Sequence, residues 1–177
     1  MNQKNKTSKI VLAALFLALA YLIPFLTGQI PKIGSMLCPM HLPVLLCGFI
    51  CGGFWGLIVG AAAPILRSLI LGLPVFFPMA VCMAFELAAY GALAGVFHRF
   101  FPKKKGLIYA SLLLSMVIGR LIWGAAMFLC VGARGGSFPF SAFLAGAFTN
   151  AIPGIILQLV LIPPLVILLE KLLRKRQ

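Results

Sequence analysis

Arg67 and Arg120 stand inside stretches apolar enough to cross a lipid bilayer, and Glu86 is the one acid at comparable depth to balance them. A charge at mid-bilayer costs roughly 2.5–3.5 kcal/mol on insertion scales, so such residues turn to an interior cavity, to one another or to a ligand. Asn150 places an amide at a similar depth in another apolar segment. Four polar groups on four segments at one level converge more economically than they face lipid separately. Two bases against one acid leave surplus positive charge, which is the chemistry that receives a small anion such as a carboxylate. A second reading is an Arg–Glu pair that only fixes helix register. Which arginine takes Glu86 is open on sequence alone.

Other side chains extend this candidate site. His41 starts a segment at the membrane surface, within reach of a ligand bound there, and Tyr90 and Trp123, with Phe76 and Phe77, could stack on a flat ring. Cys38, Met40 and His41 form a soft donor set that suits a transition metal, but their spacing is that of no recognised metal site. Cys47 and Cys51 lie four apart on one helix, and five cysteines scattered through apolar spans form no disulfide framework. Gln158, eight residues after Asn150 on one helix face, reads as an amide that joins helices. Neither serine nor cysteine has an evident base and orienting acid, so the chain reads as a non-enzyme, with no cofactor and no metal expected.

The elements that must position these residues are membrane helices. Of 177 residues, 63% are hydrophobic and 10% charged, and the mean hydropathy is +1.14. A soluble domain of this size would not tolerate that composition. The expectation is an all-α integral membrane protein, a single transmembrane domain over 1–177 built as a bundle of six helices. The approximate spans are 8–26, 41–51, 55–71, 77–97, 106–131 and 139–173, with an outer loop over 27–40. The second is the shortest, about eleven residues, and pairs with the third across Gly52 and Gly53 as two crossings or one re-entrant hairpin. Within the outer loop, residues 28–40 are either a lid over the cavity or an ordinary connector.

Charge placement sets the orientation. Lys4, Lys6 and Lys9, then Arg99, Lys103, Lys104 and Lys105, then Lys171, Arg174, Lys175 and Arg176 all fall on one side, and only Lys32 and Arg134 fall on the other. The positive-inside rule therefore puts both termini in the cytoplasm. The net charge of +13 is spent at segment ends facing lipid headgroups, not in a nucleic-acid surface. Ile10 to Leu26 is long for a cleaved secretory signal, so it reads as a retained span of a multi-pass cell-membrane protein. Loops are too short for a nucleotide site and GxxxxGK[ST] is absent, so any energy source must be a partner or an ion gradient.

Small residues mark close helix contacts: an AxxxA at Ala14 and Ala18 on the first span, and GxxxG pairs at Gly56/Gly60 and Gly91/Gly95. With a basic N-terminus leading into that alanine stripe, six spans, an outer first loop and Asn150 in the last span, the chain resembles the substrate-binding S components of energy-coupling-factor (ECF) vitamin transporters. The resemblance implies a subunit that captures one vitamin or precursor at the outer face and docks Ala14 and Ala18 on a transmembrane coupling protein carrying two cytosolic ATPases. It also implies that residues 28–40 form the lid, and that the outer halves of segments three to six, with Arg67, Glu86, Tyr90, Arg120, Trp123 and Asn150, form the pocket. Among that family's substrates, pantothenate fits a small carboxylate; riboflavin, folate-type compounds and queuosine precursors remain open. Cobalt and nickel members carry a Met-His pair at a mature N-terminus, whereas Met40 and His41 are internal here. The competing class is a stand-alone secondary carrier or channel for a small organic anion.

Overall fold

In hydrocarbon an unpaired backbone amide costs several kcal/mol, so an apolar chain that is not a closed barrel must fold as helices. The computed structural model describes residues 3–26, 37–101, 105–147 and 149–174, and among them there is no strand. The helices are α1 (Gln3–Leu26), α2 (His41–Cys51), α3 (Gly53–Leu71), α4 (Val81–Phe100), α5 (Lys105–Gly132), α6 (Phe140–Ala147) and α7 (Ile152–Arg174). An irregular turn at Phe76–Ala80 leads into α4, and a single 3-10 turn at Thr149–Ala151 joins α6 to α7. Among the described residues five stretches, Thr7–Phe25, Gly53–Leu71, Phe76–Phe100, Gly106–Gly132 and Phe140–Leu173, are long and apolar enough to cross a bilayer. The protein is a multi-pass membrane helical bundle.

The short helix α2 spans only roughly 16 Å at 1.5 Å per residue, about half the hydrocarbon thickness. Nine of its eleven residues are buried, against α1, α3, α4 and α7. Protein surrounds it, which is why its length need not match the bilayer. Gly52, with φ 99° and ψ 164°, reverses the chain between α2 and α3 in one residue, in a region of φ/ψ open to glycine.

The glycine spacing noted in the sequence places α3 against α4 at backbone contact. A Cβ on Gly56 or Gly91 would strike the backbone of the other, one on Gly60 would strike Leu87, and one on Gly95 would strike Gly53. Helix α1 turns Ala13, Phe16 and Ala20 into the core. Ala14 and Ala18 stay exposed on its other side, between the exposed Val11, Leu15 and Leu22.

The two ends of the bundle differ. At the upper end α2 and α4 begin while α3 and α5 finish. At the lower end His98 Nε2 and Glu170 Oε1 are 2.8 Å apart, tying the end of α4 to the end of α7, and the Phe49 ring stands edge-on to His98 at 5.2 Å. The stretch expected as one helix over 139–173 is divided at Thr149–Ala151. Pro153 has no N–H for the Thr149 carbonyl, so an unbroken helix would lose that bond. Residues 27–36, most of the expected lid, lie outside the described residues.

Candidate functional site

The upper-end site begins with residues one turn apart on α4. Glu86 and Tyr90 share a face, and that face meets α2 and α5. On α5, Gly119 leaves room for the Tyr90 ring, which a Cβ there would strike. The next residue, Arg120, brings Nη1 to 3.0 Å from Glu86 Oε1. His41, the first residue of α2, brings Nε2 to 3.4 Å from the same oxygen. Its ring meets Tyr90 edge-on, with centroids 5.2 Å apart. Arg120 Nη2 also donates to Cys38 Sγ at 3.5 Å, in the turn whose carbonyl accepts the His41 amide at 3.0 Å. Three chain segments, the start of α2, α4 and α5, thus meet at one carboxylate.

Burial makes the arrangement consequential. Glu86 is 1% exposed, His41 2% and Arg120 6%. A buried carboxylate needs a cation and hydrogen bonds to offset lost hydration, and Arg120 supplies the charge. His41 Nδ1 and Arg120 Nε have no hydrogen-bond partner, and the Tyr90 hydroxyl lies near the carboxylate without a well-aligned bond. Buried donors with unused capacity are the groups a bound polar molecule would satisfy.

Arg67 is a separate case. It is 7% exposed, its Nε donates to the Leu73 carbonyl at 3.2 Å just past the end of α3, and its guanidinium lies 6.0 Å from the centre of the Phe25 ring. Its Nη1 is buried with no hydrogen-bond partner, and no carboxylate among the described residues forms an ion pair with it. The sequence left open which arginine meets Glu86; in this structure it is Arg120. The surplus cation is Arg67.

The other expected site residues are distributed around this cluster. Trp123, one turn beyond Arg120, packs with Cys82, Met127 and Ala147 and lies against the rings of Phe138 and Phe143 at 6.0 and 6.5 Å. It forms an aromatic layer beside the polar cluster. Asn150 is exposed in the turn between α6 and α7, and no described contact joins it to Glu86 or either arginine. Gln158 is 1% exposed with neither amide atom partnered. Cys38, weighed in the sequence as a metal ligand and as a nucleophile, is a partner of Arg120. Gly119 and the Leu73 carbonyl had no signal in the sequence, because a glycine's neighbour and a backbone acceptor have no residue-type signature. Among the described residues no three of His, Cys, Asp or Glu converge to hold a metal ion.

The comparison with known families agrees with the helical bundle. The family of the ECF transporter, substrate-specific component, matches residues 8–166. No curated protein is matched by the chain. With the match covering most of its length, the chain belongs to the ECF transporter substrate-specific components and is a substrate-specific transport subunit.

Proposed function

We propose that this subunit captures a small water-soluble anion at the outer face of the cell membrane, with pantothenate the preferred candidate, and that it has no catalytic activity of its own. The observation that carries the reading is Arg67, a buried guanidinium with an unused Nη1 and no counter-ion among the described residues. Glu86 is already neutralised by Arg120, so a carboxylate arriving near Arg67 would meet a cation that nothing else balances. His41, Tyr90 and Arg120 retain polar capacity for the ligand's hydroxyl or amide groups, and Trp123 would cover its apolar part. Asn150, exposed in the turn between α6 and α7, would contact the ligand from that turn.

The orientation follows the charge pattern: the ends carrying Lys171 and Arg99 face the cytoplasm and the Arg67 end faces out. The exposed face at Ala14 and Ala18 would seat the subunit on a transmembrane coupling protein with two cytosolic ATPases, since small residues permit close helix approach. Binding of pantothenate and of its neutral carboxamide analogue to the purified protein tests the proposal. The acid should bind about tenfold to a hundredfold more tightly, the range of one hydrogen bond to a charged group. Arg67→Met should erase that preference. Equal affinities in the native protein would sink the anionic reading.

A further inference from the structure

The upper ends of α4 and α5 carry a pair of thiols that the ligand site does not use. Helices α4 and α5 run antiparallel, and two contacts fix their register: Tyr90 lies on Gly119 and Glu86 meets Arg120; one end of that register brings Cys82 and Cys130 into one packed cluster. Both cysteines belong to the cluster built around Trp123, Met127 and Ala147. Cys82 is 0% exposed, whereas Cys130 is partly exposed, one turn before Arg134, whose guanidinium lies 4.2 Å from the centre of the Phe77 ring. Both are reduced in this structure. The other neighbouring pair, Cys47 and Cys51, sits on the single helix α2, almost wholly buried.

From this placement we infer that Cys82 and Cys130 form a disulfide site, which on oxidation staples the first turn of α4 to the last turn of α5. A disulfide requires Cα atoms about 4.4–6.8 Å apart and converging Cβ directions, a geometry open to cysteines on the facing sides of two packed helices that share one cluster. The difference in exposure sets the order of events. The Cys130 thiolate attacks one sulfur of a small external disulfide, breaking its S–S bond and releasing one small thiolate. The buried Cys82 thiolate then attacks the Cys130 sulfur and expels the second. Two electrons pass from the cysteine pair to the external disulfide, and the two cysteine protons end on the two small thiols or in solvent. Disulfides persist on the outer side of a cell membrane and are reduced in the cytosol; the orientation under Proposed function puts this end outside, but the chemistry of the purified protein is independent of it.

The consequence is mechanical. The staple would lie beside Trp123 and Phe143, the aromatic layer next to the Glu86 cluster, and would fix the separation of the two helices that carry Glu86 and Arg120. The test uses the full chain in detergent, incubated with oxidised glutathione, denatured, blocked with N-ethylmaleimide and digested without reductant for mass spectrometry. The expected result is a Cys82–Cys130 linked peptide pair and three alkylated cysteines of the five in the chain, reversed by dithiothreitol. Cys82→Ser should instead retain glutathione on Cys130, and Cys130→Ser should yield no link. Five alkylated cysteines, a stable glutathione adduct on Cys130 of the native chain, or a link between any other pair would overturn the assignment. The readout needs no transport substrate, so its failure is distinguishable from failure of the anion-binding proposal.

Discussion

At the scale of residues, the roles of the two arginines separate. Arg120 and Glu86 are committed to each other at 3.0 Å, in surroundings where neither can be removed alone without leaving a bare charge. Breaking a buried ion pair costs about 3–5 kcal/mol, whereas replacing both partners with apolar residues is often near neutral. Glu86→Leu and Arg120→Met should each lower the thermal midpoint sharply. The double variant should recover much of the loss, as measured by thermal unfolding of the apo protein. Arg67 has no such partner, so Arg67→Met should leave that midpoint near the native value, or raise it, while weakening an anionic ligand by about tenfold to a hundredfold. A matched fall in stability and binding for Arg67 would assign it to the scaffold.

At the scale of elements, function depends on how closely helices can approach. The contact of α3 with α4 is made backbone to backbone at Gly56 and Gly91, and it holds Glu86 on α4 at the level of His41 on α2. Gly91→Ala puts a methyl group where the Gly56 backbone already lies, and overpacking of this kind costs about 1–3 kcal/mol. Thermal unfolding should show that loss, and ligand affinity should fall with it, since the helices must separate. The GxxxG spacing was legible in the sequence because small residues at helical period signal contact wherever the partner lies. The division of the last segment at Thr149–Ala151 was less so: Pro153 announces a lost hydrogen bond, but whether a helix bends, breaks or tolerates it depends on what packs around it.

At the scale of the whole molecule, the proposed function makes this substrate-specific subunit dependent on a powered partner to concentrate its ligand. Reconstituted alone in liposomes, this protein should bind ligand without accumulating it, and ATP-driven uptake should appear only with a coupling protein and its ATPases. Ala14→Trp with Ala18→Trp should abolish that uptake and leave binding intact, because both positions lie on the exposed side of α1 while Ala13, Phe16 and Ala20 hold the helix to the core. Accumulation by the isolated chain under an ion gradient would favour a stand-alone carrier. The sequence by itself determined the solvent and therefore the secondary structure: composition excludes water around most of this chain, and lipid requires helices that satisfy their own backbone. It also determined that charges inside those helices must find company, which marked Arg67, Glu86 and Arg120 in advance. Only the tertiary structure decided who keeps that company, pairing Glu86 with Arg120 and His41, setting Cys38 against Arg120 and leaving Arg67 to a backbone carbonyl. Pairing depends on the rotation and depth of helices set by side-chain packing across distant segments, and hydropathy, which reports how far a residue lies from water, carries no record of which neighbour it faces.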